Sequence, residues 1–213
     1  TRASIVSGQY PARVGITDFI TGHWRPYEKL RVPINRTQYL PLESVTIAEA
    51  LEVQGYTSGI SGQWHLGGRE HYPDRQGFAQ MGVQRGNHVK FTLFPEVEMP
   101  DDPYMSEVLT DEALKFMESN KDQPFCLCLH HYAVHIPLQA RQQLIDKYEK
   151  KPKPDTGVNH PVYAAMVEHV DQSVGRVLDK LDELELAENT VVVFFSDNGG
   201  LRQRFDGDGP IVS

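Results

Sequence analysis

Three short segments gather residue types that do chemistry in combination. Ser61-Gly62-Gln63-Trp64-His65-Leu66-Gly67 brings an amide and an imidazole, and His130-His131-Tyr132-Ala133-Val134-His135-Ile136-Pro137 brings three more imidazoles. Ser196-Asp197-Asn198-Gly199-Gly200 sets a carboxylate beside an amide oxygen. Imidazoles suit proton transfer near neutral pH, and a carboxylate with an amide oxygen suits a hard cation. Each segment has a plain structural alternative, since strand-end histidines are often only hydrogen-bonded and Asp-Asn-Gly-Gly is an ordinary turn sequence. A fourth segment, Thr1-Arg2-Ala3-Ser4-Ile5-Val6-Ser7-Gly8, places an arginine at the start of a short helix ending at Gly8, a position that favours anions.

The elements that must carry these groups are legible in the apolar pattern. Thr46-Ile47-Ala48-Glu49 is a capping-box sequence that opens a helix running to Gly55. Residues 56–60 then read as a strand. Met105, Val108, Leu109, Ala113, Leu114 and Met117 form a stripe at helical spacing that ends before Asn120. The apolar run 125–131 reads as a buried strand, residues 161–186 as the longest helix, and the β-branched run 190–196 as a further strand. Long Gly- and Pro-containing loops are expected over 11–41, 67–103 and 150–161. Helices alternate with apolar strands of the kind found in sheets covered on both faces, so the expected fold is an α/β three-layer α/β/α sandwich with a largely parallel mixed sheet. The three polar segments then lie just past the C-terminal ends of successive strands, where such sheets place their sites.

Composition limits what the site can serve. The chain has 213 residues with 21 Lys and Arg against 29 Asp and Glu, a net charge of −8. That balance lacks the clustered cations that nucleic-acid binding requires. The longest wholly apolar runs are about five residues against the ~20 needed to cross a bilayer, so no membrane span is expected. Cys126 and Cys128, the two cysteines, sit at i and i+2 on one strand, poorly placed to bridge each other, and read as core thiols.

The four segments together resemble the type I sulfatases of the alkaline-phosphatase-like superfamily. Thr1-Arg2 and the helix after it, with the turn Pro11-Ala12-Arg13-Val14-Gly15, resemble the second half of that family's signature, Cys (or Ser)-x-Pro-x-Arg followed by a small apolar helix and Pro-x-Arg-x-Gly. Gly62-Gln63-Trp64-His65-Leu66-Gly67 resembles its Gly-Lys-Trp-His-Leu-Gly, His135-Ile136-Pro137 its His-x-Pro, and Asp197-Asn198-Gly199 its Asp-Asn-Gly metal motif. The resemblance implies hydrolysis of sulfate esters, with sulfated carbohydrates as the favoured substrates, by a formylglycine nucleophile beside Ca2+, or Mg2+ as the alternative. It assigns Arg2 to orienting and stabilising the nucleophile, His65 to the base that expels sulfate, and His135 to sulfate contact and protonation of the leaving alcohol. Gln63 takes the place of a sulfate-binding lysine, and Asp197 and Asn198 become metal ligands. It also implies a periplasmic or extracellular protein, with no indication of oligomeric state.

Departures from the pattern are part of the expectation. Thr1 matches the fourth residue of the signature, so the nucleophile would lie three positions ahead of it, and the family's paired acids and a downstream lysine have no counterpart here. Residues 1–213 are therefore expected to be the central portion of a single catalytic domain, incomplete at both ends and inactive alone. Gln63 retains a donor but not a charge, and a charge-assisted hydrogen bond is roughly twice as strong as a neutral one. Two alternatives stay open: a phosphate or phosphonate ester hydrolase of the same superfamily, and a non-catalytic glycan-binding descendant. His23-Trp24-Arg25, His71-Tyr72, Asn87-His88 and Lys150-Lys151-Pro152-Lys153 are expected to be structural or solvated, and Asp101-Asp102 is discounted as a metal site because it lies in a Pro-bounded loop.

Overall fold

The computed structural model describes residues 1–22, 34–153 and 160–200. Four strands form one sheet: β1 (Thr57–Gly62), β2 (Gln80–Gly86), β3 (Phe91–Phe94) and β4 (Phe125–His130), in the order β3-β2-β1-β4. β1 runs parallel to both β2 and β4, while β3 is antiparallel to β2, so the sheet is mixed and mostly parallel. The helices are α1 (Arg2–Ser7), α2 (Pro11–Val14), α3 (Ile47–Glu52), α4 (Met105–Asn120), α5 (Gln142–Glu149) and α6 (Pro161–Glu183). No helix among the described residues is long and apolar enough to cross a membrane.

Alternation along β1 explains the layers. Gly59 and Ser61 face α4: a Cβ on Gly59 would lie 2.4 Å from the Phe116 ring, and Ser61 Oγ donates to the Leu109 carbonyl at 3.0 Å. Ile60, on the opposite face, packs with Ala3 and Val6 of α1 and Ala48 of α3. Helices therefore cover both faces, with α6 packed outside α4 and α5 against α6. The α3 start carries both halves of its capping box: Glu49 N–H donates to Thr46 Oγ1, and Thr46 N–H donates to Glu49 Oε2.

Several expectations need correction. Residues 190–196 are not a strand. Val191, Val193 and Phe194 are 89%, 79% and 74% exposed, and no strand among the described residues pairs with them, so their propensity has no ladder to join. The stretch 67–103, expected as a loop, contains β2 and β3. The helix α5 was not expected, and α6 ends at Glu183 rather than at residue 186. Cys126 and Cys128 are free and half-buried, β4 having no neighbour beyond β1 among the described residues, and Cys128 packs against the core cluster around Ile60.

Candidate active site

Parallel pairing of β1 with β4 ends both strands at one level, with Gly62 opposite His130. Gly62 makes that junction possible. Its φ is +121°, and a Cβ there would sit 1.9 Å from the His130 carbonyl oxygen. The chain then turns so that Gln63 N–H donates to that same carbonyl at 2.9 Å, and His130 Nδ1 lies 3.3 Å from the Gln63 carbonyl. Beyond the junction, Trp64 and Leu66 are buried while Gln63 is half-buried and His65 exposed. Trp64 is the anchor, its indole N–H donating to the His71 carbonyl at 2.8 Å and its ring meeting Phe78 edge-on. His65 itself has φ +52°, a left-handed conformation that few side chains adopt and that often marks functional residues.

Arg2 reaches this junction from the first residue of α1. Its Nη2 donates to Gln63 Oε1 at 2.8 Å and its Nη1 to the Trp64 carbonyl at 3.3 Å. Burial lowers its pKa, and the Asp197 charge opposes that shift, which places the carboxylate within electrostatic reach of the guanidinium. Thr1 Oγ1 also donates to the Asp197 carbonyl at 2.9 Å, tying the start of α1 to the last described segment. Asn198 offers its backbone carbonyl to Ser196 Oγ at 2.7 Å.

The histidines share one electrostatic neighbourhood. The His65 pKa is lowered, first by partial desolvation of the ring against its neighbours although the residue is open to solvent on one side, and then by the charges of Arg2 and His135, while a hydrogen bond to the Ile20 backbone partly offsets the shift. That keeps the ring neutral near pH 7, with one nitrogen donating to Ile20 and the other presenting a lone pair. His130, at the strand end, is pushed down to about 4 by burial and by Arg2. His135 hangs from the turn after β4. Its backbone N–H donates to the Tyr132 carbonyl at 2.9 Å, its ring stacks on Tyr132 at 4.7 Å, and its Nδ1 lies 2.7 Å from the Ile136 carbonyl. A carbonyl only accepts, so Nδ1 carries the proton of that bond and Nε2 is left for other chemistry.

Arg2, Gln63, His65, His135 and Asp197 thus converge at one end of the sheet. The oxygen donors Asp197 and Asn198 suit a hard cation in kind, but no group of three or more His, Cys, Asp or Glu among the described residues could hold a metal. His130 is a site residue that the motifs do not single out, and its place as the last residue of an apolar strand is the signal for it. Of the groups expected to be structural or solvated, His88 touches the His135 backbone, whereas others fall elsewhere. His71 stacks on Tyr39 at 3.9 Å, Asp102 is held by Arg141, and Asn87 Oδ1 accepts from Val89 and Lys90 N–H in a turn. His23-Trp24-Arg25 lies outside the described residues.

Comparison with known proteins identifies the family and supports the fold. The sulfatase family model matches residues 1–209. The chain is 27% identical over 231 residues to an arylsulfatase of Hemicentrotus pulcherrimus, covering 95% of this chain and 38% of that protein. It is also 27% identical to an N-acetylgalactosamine-6-sulfatase of Canis lupus familiaris, over 93% of this chain and 40% of that protein. Among solved structures, Ps i-CgsB in complex with k-i-k-neocarrahexaose superposes with a TM-score of 0.67 at 23% identity, covering 87% of this chain and 44% of that one, which supports the fold. The chain spans about two fifths of the length of these two curated relatives. By its family match, its strand-end motifs and its sheet, the chain belongs to the sulfatase family.

Proposed function

We propose that this chain supplies the anion-binding and proton-transfer side of a sulfuric ester hydrolase acting on sulfated carbohydrates. The observation that carries the reading is the convergence of Arg2, Gln63, His65, His135 and Asp197 beyond the ends of β1 and β4. In sulfate ester hydrolysis, negative charge moves from the sulfuryl group to the leaving oxygen, so a site needs fixed positive charge and an acid. Arg2 supplies the charge, held from two sides by Gln63 and the Trp64 carbonyl. Gln63, with Oε1 committed to Arg2, turns its Nε2 donors to a sulfuryl oxygen. His65, kept neutral, accepts a proton on the nitrogen not bonded to Ile20. His135 acts as the doubly protonated ring, giving the Nε2 proton to the departing alcohol while Nδ1–H stays on the Ile136 carbonyl and the ring is left neutral.

Asp197 and Asn198 would contribute oxygen ligands to Ca2+ or Mg2+, and such a cation, when bound, supplies further positive charge for the sulfuryl oxygens. A formylglycine made from a Cys or Ser three positions ahead of Thr1 would supply the nucleophilic oxygen. The carbohydrate substrate class is supported by the relative named for N-acetylgalactosamine 6-sulfate chemistry.

Turnover of sulfated monosaccharides by the full-length protein tests this reading, with matched phosphate esters alongside. Sulfate release that falls roughly 100- to 10,000-fold in His135→Ala supports it. Faster turnover of the phosphate esters moves the assignment to phosphoryl chemistry. Glycan binding with no turnover of either makes the protein a binding descendant of the family.

A further inference from the structure

His88 lies outside the convergence described above, in the turn between β2 and β3, yet it is wholly buried and touches the acid. Its Nε2 is 2.8 Å from the backbone carbonyl oxygen of His135. Because that oxygen only accepts, Nε2 is the protonated nitrogen, and Nδ1 is left buried without a partner among the described residues. Burying an unpartnered polar atom is costly, so an apolar residue would be cheaper here if filling space were the whole task.

Aromatic neighbours hold the ring. It packs against Tyr132 at 4.9 Å and stacks on Tyr104 at 6.1 Å, and Tyr104 packs in turn on His169 at 4.1 Å. The His88 carbonyl accepts from Met105 N–H at 2.8 Å, which fixes this turn to the first residue of α4. Tyr132, held between His88 and His135, donates its hydroxyl to the Ile136 carbonyl at 2.7 Å, the same oxygen that His135 Nδ1 uses. One rigid bed therefore fixes both the backbone and the ring of His135.

We propose that His88 is a positioning residue, holding the His135 backbone carbonyl so that Nε2 of His135 faces the leaving oxygen. The inference rests on the reading of His135 as the acid. A misplacement near 1 Å costs on the order of 100-fold in rate. The cost should fall on substrates whose leaving alcohol needs a proton.

The test compares His88→Phe, which keeps an aromatic ring but loses the donor, with His88→Gln, which keeps an amide donor near the Nε2 position. Where Phe prevents folding, His88→Leu serves in its place. In the full-length protein, His88→Phe should lower kcat on a sugar sulfate roughly 10- to 100-fold, leave KM within about 2-fold and change 4-nitrophenyl sulfate turnover by less than about 3-fold, with Gln restoring the rate. If His135→Ala shows this leaving-group split and His88→Phe does not, the positioning role is wrong. If His135→Ala shows no split, the acid assignment fails instead. The role of His88 is then decided by backbone amide exchange over residues 132–136. Faster exchange in the Phe variant and recovery with Gln keep it, and unchanged exchange overturns it.

Discussion

Arg2 and Gln63 meet at 2.8 Å, Nη2 donating to Oε1, and this contact joins the first helix to the chain leaving β1. The guanidinium is buried enough to lower its pKa, so the amide oxygen stands where water would otherwise solvate the charge. A hydrogen bond to a charged group of this kind contributes roughly 1.5–3 kcal/mol. It also orients Gln63, since an amide with its oxygen on Arg2 has its donors free for an anion. A lysine at this position would instead bring a second cation to Arg2.

Gln63→Lys should therefore destabilise the protein without anion and respond more strongly to anion than the parent. The expected loss is about 1–2 kcal/mol, a fall in Tm of roughly 3–6 °C in sulfate-free buffer. Added sulfate should narrow the gap, because it binds best where two cations face it. Thermal denaturation with and without sulfate measures both effects. Equal Tm values in sulfate-free buffer would mean that the Arg2–Gln63 contact contributes nothing.

Two glycines should respond to alanine with opposite signs. At Gly62 the new Cβ would collide with the His130 carbonyl, at a φ that alanine avoids, so Gly62→Ala should cost roughly 3 kcal/mol or more and displace Gln63. Gly175 lies inside α6 with nothing within 4 Å of the added Cβ, and Gly175→Ala should stabilise by roughly 0.5–1 kcal/mol. Denaturant midpoints for the pair give the answer, and a tolerant Gly62 would mean that β1 and β4 do not approach as closely as described.

Stability should fall on mild acidification. His130 and His131 are both pushed down to about 4, chiefly by burial, and His131 sits with Nε2 2.8 Å from Ser173 Oγ. Their folded pKa values lie below that of an unfolded histidine, so the unfolded chain binds more protons as pH drops. The stabilisation is complete above about pH 6.5 and is lost progressively down to about 4, by up to roughly 3 kcal/mol for each group. Urea midpoints at pH 7, 5.5 and 4.5 trace the slope. His131→Gln should flatten it by close to one proton, and an unchanged slope in that variant would exclude His131 as a source.

How far these groups could be found in the sequence depends on how local their causes are. The Thr46–Glu49 cap and the stripe from Met105 to Met117 have their determinants within one helix, and both elements form. β2 was illegible because only three central residues are buried and glycines interrupt it, while α5 buries no residue fully. Run 190–196 misled for the opposite reason: its residues favour a strand, but a strand also needs a neighbour. Site motifs were legible as clusters just past strands. His88 was not, because the carbonyl that explains it lies 47 residues away.

The exposed run 191–195 leads to the last prediction. Val191, Val192, Val193, Phe194 and Phe195 are each more than half exposed, and β4 has no neighbour beyond β1 among the described residues. Short apolar, β-branched segments without charge or proline pair readily with other chains, and a bare sheet edge offers them a template. The 213-residue chain should therefore self-associate as its concentration rises, despite a net charge of −8. Val193→Lys, placed at a position 79% exposed, should reduce association without lowering Tm, because it removes no buried contact and adds a gatekeeping charge. Sedimentation over a range of concentrations separates the outcomes. A parent chain that stays monomeric at high concentration, or association unaffected by the lysine, would show that this segment is covered in solution.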